Sequence, residues 1–312
     1  MEDFLRYKVR FPAPLRVTFG AQTLAGSPPP TTGATLAFAI LKVLEGASLE
    51  PTLRTVDNLD LVGRAWRLTL PVVRDEVSDC EGGLDSWYRL LSAPSLAQLR
   101  RLLHETDASS WPAPSVRTGA NDATTHFVVA DADGNVVSAT QSLSLHFGAG
   151  VLAAGIILNN SMSNFAFDDP GHPNYVAPGR RPRSTITPTL VLRDERPILA
   201  LGAPGGQRIP TAMVQVLLDH LVLGRPLNEA IGDTRLHWLR SGDGSVPDTL
   251  ESETSLPLDV ELGLRSRGWT VDRREDPGTG RHFGGVNAIY LGPDGVWEGV
   301  ADPRRSNAVA TP

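Results

Sequence analysis

Apolar residues recur at helical spacing through the first third of the chain, and further on they alternate or fall into short runs. Ala37, Ile40, Leu41 and Leu44 make one face of a helix predicted from Ala34 to Glu45. Thr31-Thr32-Gly33 can cap it, behind the stiff run Pro28-Pro29-Pro30. A second helical stretch covers roughly Leu59 to Ser78, and a third Ser95 to Glu105, with Leu96, Leu99, Leu102 and Leu103 as its stripe. The opening, to about Ala25, reads as extended segments broken by Pro12 and Pro14. From Thr106 to Asp122 the composition turns to Ser, Pro, Ala, Gly and Asn. That is a linker, and linkers are where chains are cut.

Beyond the linker the pattern changes period. Thr124 to Ala130 alternates as a strand, Asp133-Gly134 turns it, and Val136 to Phe147 returns as a second strand. Gly148, Gly150 and Gly155 precede a short apolar strand, Ile156 to Leu158, and a polar loop runs from Asn159 to Pro182. Thr187–Leu192 and Pro197–Leu201 pair around Asp194-Glu195. A helix with core face Ile209, Met213, Val216, Leu217 and Leu221 follows, then helices near Leu227–Ile231 and Leu258–Ser266. A last hairpin joins Val286–Leu291 to Val296–Val300 through Pro293-Asp294-Gly295. Strands with helices to pack outside them indicate an α/β layered domain.

Composition narrows the function classes. The 312 residues suffice for a sizeable core, and 41% hydrophobic with 21% charged residues describes a globular protein. No run approaches the roughly 18 apolar residues of a membrane-spanning helix. A net charge of −6 argues against a nucleic-acid surface, and with Lys8 and Lys42 as the only lysines nearly all positive charge is arginine. The lone Cys80 rules out an internal disulfide. The seven histidines show no metal-ligand spacing, so no metal or cofactor is expected.

Candidate chemistry gathers at Ala123-Thr124-Thr125-His126. A threonine at a strand start is ordinary, but a cut just before it frees an α-amine that can act as base for its own Oγ. Ser142 and Ser144 alternate on the second strand, and both could point toward Thr124 across the hairpin. His126 shares a face with Thr124 but has no spaced Asp partner. Gly202-Ala203-Pro204-Gly205-Gly206, between a strand and a helix, reads either as a tight turn or as an outward-facing row of N–H groups suited to an oxyanion. Arg180-Arg181-Pro182-Arg183-Ser184-Thr185 reads as a solvated basic loop or as a cradle for a carboxylate.

As a set, these residues resemble a family. Pro28-Pro29-Pro30-Thr31-Thr32-Gly33, Thr124-Thr125-His126, Phe147-Gly148, Leu158-Asn159-Asn160, Arg181-Pro182, Pro188-Thr189, Pro204-Gly205-Gly206 and Ala301-Asp302-Pro303-Arg304 occur in the order found in γ-glutamyltranspeptidases. The resemblance is close from Thr124 to the end, looser from Met1 to about Glu50, and faint between Pro51 and Asp122. It implies the four-layer αββα sandwich of the N-terminal-nucleophile hydrolases, and a proenzyme cut between Ala123 and Thr124. Residues 1–123 would then be the C-terminal portion of a large-subunit-like region ending in the linker, and 124–312 the small-subunit-like catalytic region. Thr124 would carry an acyl group from a γ-glutamyl-type amide donor to water or an amine. Ser142 would support it, Gly205 and Gly206 would bind the oxyanion, and Ser184 and Thr185 would hold the donor's α-carboxylate.

Departures from the family pattern shape the expectation further. Ser144 stands where the family has Asn. Ser161 and Asn164 stand where it has Gln or Glu and, three residues on, Asp, the pair that holds the α-ammonium. Two neutral groups hold a cation poorly, each lost charge-assisted bond being worth about 1.5–3 kcal/mol. Ordinary glutathione-like donors are therefore expected to bind poorly, or the true donor to lack a free α-ammonium, one version being a tailoring enzyme of specialised metabolism. The loop Phe165–Pro178 is shorter than in lidded members, implying an open pocket. Met1 falls well inside the large subunit, whose missing part supplies an arginine for the donor carboxylate; the rest is expected to be a separate polypeptide, or this chain to be a truncated piece, or the family to be pared down here. The expected partners are a small-molecule substrate and either association of the two cleaved fragments or a separate large-subunit chain. The alternative is an unprocessed, non-catalytic homologue that needs a partner chain. As written the chain has no export signal, which places it in the cytoplasm, although the family is often secreted or periplasmic.

Overall fold

The computed structural model describes residues 2–80, 83–105, 123–239, 248–274 and 282–311, so the linker expected over Thr106–Asp122 lies outside the described residues. The chain opens on a short helix, α1 (Glu2–Arg6), where extended structure is expected; a Glu2–Arg6 pair one turn apart closes it. β1 (Leu15–Phe19) and β2 (Gln22–Gly26) form a hairpin with Leu15, Val17 and Phe19 inside. α2 (Thr32–Leu44) starts earlier than the apolar stripe indicates, because Thr32 N and Oγ1 both donate to Ser184 O, at 2.8 and 3.1 Å. The expected threonine cap is replaced by this tertiary anchor, since Thr31 makes no side-chain cap bond.

α3 (Val56–Glu76) is capped by Thr55, whose Oγ1 accepts from Asn58 N at 3.3 Å, three residues ahead of the expected start. α4 (Gly83–Leu90) has no counterpart in the sequence reading; eight residues are too few for periodicity to show, and buried Trp87 fixes it. α5 (Ala93–Glu105) follows as expected. β3 (Thr124–Ala130) and β4 (Val136–Ser142) pair from Thr124↔Ser142 to Ala130↔Val136. β4 stops at Ser142 and not at Phe147, because Ser144 and Phe147 adopt positive φ of 68° and 61°, which no strand continues. β5 (Leu152–Ala153) and β6 (Ile156–Ile157) make a minimal hairpin.

β7 (Thr189–Arg193) and β8 (Arg196–Gly202) turn at Asp194 and Glu195, both at positive φ. α6 (Ile209–Leu217), which ends in a π turn over Leu218–Val222, and α7 (Leu227–Gly232) come next. β9 (Leu236–Leu239), β10 (Thr249–Ser252), α8 (Leu258–Ser266) and β11 (Thr270–Arg273) follow; the three strands, four residues each, form a small sheet that the sequence does not announce. β12 (Asn287–Leu291) and β13 (Trp297–Ala301) close the chain as the expected hairpin.

Among the described residues the main sheet has six antiparallel strands in the order β1-β2-β7-β8-β12-β13. It joins strands from both sides of Thr124, with β2 paired to β7 from Thr23↔Leu192 to Gly26↔Thr189. Leu199 and Leu201 face the core shared with α2 and α6, whereas the β3–β4 hairpin packs on β8 and β12 across the other face. Gly202 makes that packing close: a Cβ there would stand 2.4 Å from the His126 ring. Ser138 Oγ to Leu201 O at 3.1 Å and Asn287 Nδ2 to His126 O at 2.9 Å pin the layers together. The result is helix on sheet on hairpin, an α/β sandwich. No helix among the described residues is long and apolar enough to cross a membrane.

Candidate active site

Register places Thr124 directly opposite Ser142, and their hydroxyls meet at 2.8 Å. Ser142 Oγ accepts from Ser144 N at 2.9 Å and reaches Ala123 O at 3.4 Å. That same carbonyl accepts the Leu143 N–H at 2.9 Å, and Ala123 N donates to Ser144 O at 3.2 Å. The peptide between Ala123 and Thr124 is therefore held on both sides, with a hydroxyl pair beside it. Ser144 departs from expectation: the positive φ swings it off the strand, and its Oγ meets Ser161 Oγ at 3.0 Å instead of Thr124.

Thr124, Ser142 and Ser144 line a cavity of about 520 Å³ with Asn164, Arg183, Ser184, Thr185 and Gly206. Leu36, Trp66, Leu70, Val73, Ile209 and Trp238 add an apolar part to its wall. Of these, the sequence marks only Ile209, and as a helix core residue; α2, α3, α6 and β9 bring them together over long separations. Among the described residues the cavity wall contains no carboxylate. Asn164 Nδ2 donates to Arg183 O at 3.1 Å, so its amide is engaged by backbone, while Ser161 stays outside the lining. Ser184 and Thr185 both line the cavity, but the Thr185 hydroxyl proton is spent on Gly206 O at 2.8 Å, and Ser184 is the one with a proton to give.

Gly205 and Gly206 adopt φ of 139° and 55°, backbone that glycine accepts readily, at the turn from β8 into α6. The turn is clamped from behind. Arg208 bonds Glu251 through Nε and Nη2 at 3.2 and 2.9 Å, and Glu251 also receives Arg274 and His282. This buried carboxylate is held low, at about 2, by His282 and Arg208 against the opposing effect of burial. Sequence reasoning missed the clamp, since Arg208 and Glu251 are remote in the chain and carry no motif. Among the described residues no group of three or more His, Cys, Asp or Glu is placed to hold a metal.

His126 is buried beneath the hairpin, with Nδ1 against Thr140 Oγ1 at 2.8 Å and Nε2 without a partner among the described residues. Burial pulls it down to about 4, and it does likewise to His237, to about 3. Neither imidazole is charged in the folded protein at neutral pH. Between pH 6.5 and about 4 the unfolded chain binds a proton on His126 that the folded chain refuses, so stability falls as pH drops through that window. His126 alone is expected to remove about 3 kcal/mol by pH 4. Thermal unfolding at pH 7 and 4.5 checks this; equal midpoints would refute it.

The layered fold is an α/β sandwich of the N-terminal-nucleophile hydrolase type. The Gamma-glutamyltranspeptidase family model matches residues 1–311, and the chain belongs to that family. It is 29% identical to the glutathione hydrolase proenzyme of Escherichia coli strain K12, over 97% of this chain and 53% of that protein. It is 32% identical to the acylase ACY 1 proenzyme of a Pseudomonas species (strain SE83), over 96% and 52% respectively. Among solved structures, cephalosporin acylase from Bacillus halodurans superposes with a TM-score of 0.83 at 26% identity, covering 99% of this chain and 55% of that one. The chain thus spans about half the length of the curated relatives it matches.

Proposed function

We propose that the chain is an amide hydrolase or acyltransferase that frees Thr124 as its own N-terminal nucleophile and prefers acyl donors without a free α-ammonium. The observation that carries this reading is the 2.8 Å approach of the Thr124 and Ser142 hydroxyls beside the Ala123 carbonyl. Thr124 Oγ1 attacks the Ala123 carbonyl carbon as its proton passes to Ser142 Oγ, and the Ser142 proton moves to Ala123 O. The Leu143 N–H stabilises the oxygen meanwhile. Collapse returns that proton to the departing Thr124 nitrogen, breaks the C–N bond and leaves an ester. Water hydrolyses the ester to an Ala123 carboxylate and a free Thr124 α-amine.

That amine, with an ordinary pKa of about 7.7–8.0, is suited to take the Oγ1 proton near neutral pH. Oγ1 then attacks the donor amide, and the charge on the former carbonyl oxygen falls to the Gly205 and Gly206 N–H groups. The ammonium gives its proton to the leaving amine, and water or an amine acceptor resolves the acyl-enzyme. The fragments 1–123 and 124–312 would stay associated, because β2 and β7 belong to one sheet. A further chain matching the remaining half of the relatives is a proposed partner.

The donor preference rests on the cavity wall, whose described residues offer hydroxyls, two amides, an imidazole and arginines but no carboxylate for an ammonium. A comparison of γ-glutamyl anilide with glutaryl anilide, the same chain without the ammonium, tests it. Glutaryl anilide is expected to react faster. Faster turnover of γ-glutamyl anilide than of every donor lacking the α-ammonium would refute the preference.

A further inference from the structure

The titratable side chains in the lining of the Thr124 cavity are engaged with protein. Arg183 Nε donates to Val77 O at the end of α3, and its Nη2 is enclosed by protein. Arg74 Nε holds Asp75 at 2.9 Å. His237 is kept neutral, burial drawing it down to about 3, and its Nδ1 meets Thr211 Oγ1 at 2.8 Å. The described lining holds no carboxylate.

Much of the remaining wall is hydrocarbon. Leu36 of α2, Trp66 and Leu70 of α3, Ile209 of α6 and Trp238 of β9 line the cavity together with Ile186, two residues beyond Ser184. Leu70 packs against the core yet stays half-buried, as does Ile186 at the cavity wall. Trp66 Nε1 is enclosed by protein, so its ring turns carbon to the cavity. Exposure grades along the lining. Leu145, Ser163 and Asn164 are exposed and mark the mouth, whereas Leu36, Trp66 and Trp238 are buried and mark the enclosed end. The volume of about 520 Å³ falls within the ~300–1,000 Å³ of sites that take whole drug-sized ligands, and a four-carbon acyl chain would leave most of it empty.

We infer that the enclosed end of the cavity takes an apolar acyl chain, so that the preferred donors are amides of apolar carboxylic acids longer than butyric acid. The acyl group stays on Thr124 after the amine leaves, and the enclosed end holds it while the amine departs and water enters through the exposed mouth. This rests on the reading of the cavity as the acyl-donor site, and it names the chemical class of the donor. Leu70 and Ile186 are binding residues, touching the chain and moving no proton.

Binding is separable from turnover. Alkyl methyl ketones mimic the acyl group without an amide to cleave, and calorimetric titration of the purified chain reads their affinity. 2-Nonanone is expected to bind about tenfold tighter than 2-pentanone or better, since each fully buried methylene is worth about fourfold. Leu70→Asn should shrink that ratio to about threefold or less, and Leu70→Met, which keeps the apolar bulk, should preserve it. In turnover, kcat/KM for octanoyl anilide should exceed that for butyryl anilide about tenfold, and Leu70→Asn should cut this ratio by roughly fivefold. Equal affinity of the two ketones for the wild-type chain overturns the inference, and that comparison needs no variant to fold. A chain-length ratio untouched by Leu70→Asn overturns it too, because a merely structural role lowers both donors alike. Failure to turn over any anilide, with Leu70-dependent ketone binding intact, would instead count against the proposed catalysis.

Discussion

Thr124→Ala is expected to reduce amide turnover by about 10⁴- to 10⁶-fold, the scale on which losing a nucleophile acts when no neighbour can replace it. Within reach of the cavity, Ser142 is the hydroxyl nearest Thr124, but it sits inside a strand with no α-amine to serve as its base. His126 cannot substitute as a base, since its ring lies under the hairpin against Gly202, and burial, which pulls it down to about 4, makes it a weak proton acceptor. The fold should be indifferent to the change, because Thr124 contributes one hydroxyl at a half-buried strand end. Steady-state rates on glutaryl anilide, with a circular dichroism spectrum as the folding control, check the claim. A variant within tenfold of wild type would remove Thr124 from the mechanism.

Gly284→Ala is expected to lower kcat by about 10²-fold with little effect on KM, as an ångström-scale misplacement of catalytic groups does. Gly284 has φ of 74°, and a Cβ there would stand 2.0 Å from Pro204 O and 3.2 Å from Gly205 Cα. Both contacts are backbone, so the Pro204–Gly205 turn must move. That turn is held from the far side by Thr185 on Gly206 O and by the Arg208–Glu251 pair, and it cannot shift as a rigid unit. The proposed cut at Ala123, whose carbonyl accepts from Leu143 N and not from the Gly205–Gly206 turn, should proceed normally in this variant. Unchanged kcat would place the oxyanion donors somewhere other than Gly205 and Gly206.

Much of this arrangement was legible in the sequence because short-range rules fixed it. The Asp133-Gly134 turn and the alternation on either side set a register in which Thr124 and Ser142 face each other. The Gly205-Gly206 turn followed from glycine at a strand-to-helix junction. Ser144 was misplaced for an equally local reason: strand alternation assumes extended φ, and nothing in Leu143-Ser144-Leu145 signals the left-handed residue that ends β4. The apolar wall and the Glu251 clamp were invisible, since their partners are brought together by α3, β9 and β10. The basic run was visible as a whole, but that Arg183 and not Arg181 lines the cavity goes with Asp79, remote in the chain, claiming Arg181.

Every role proposed for Thr124 needs a cut that exposes it, and intact mass of the purified chain after incubation detects that cut. Two fragments meeting at Ala123/Thr124 in the wild type, and a single whole chain in Thr124→Ala, are the expected result. A wild-type chain that stays whole while hydrolysing amide donors would contradict it.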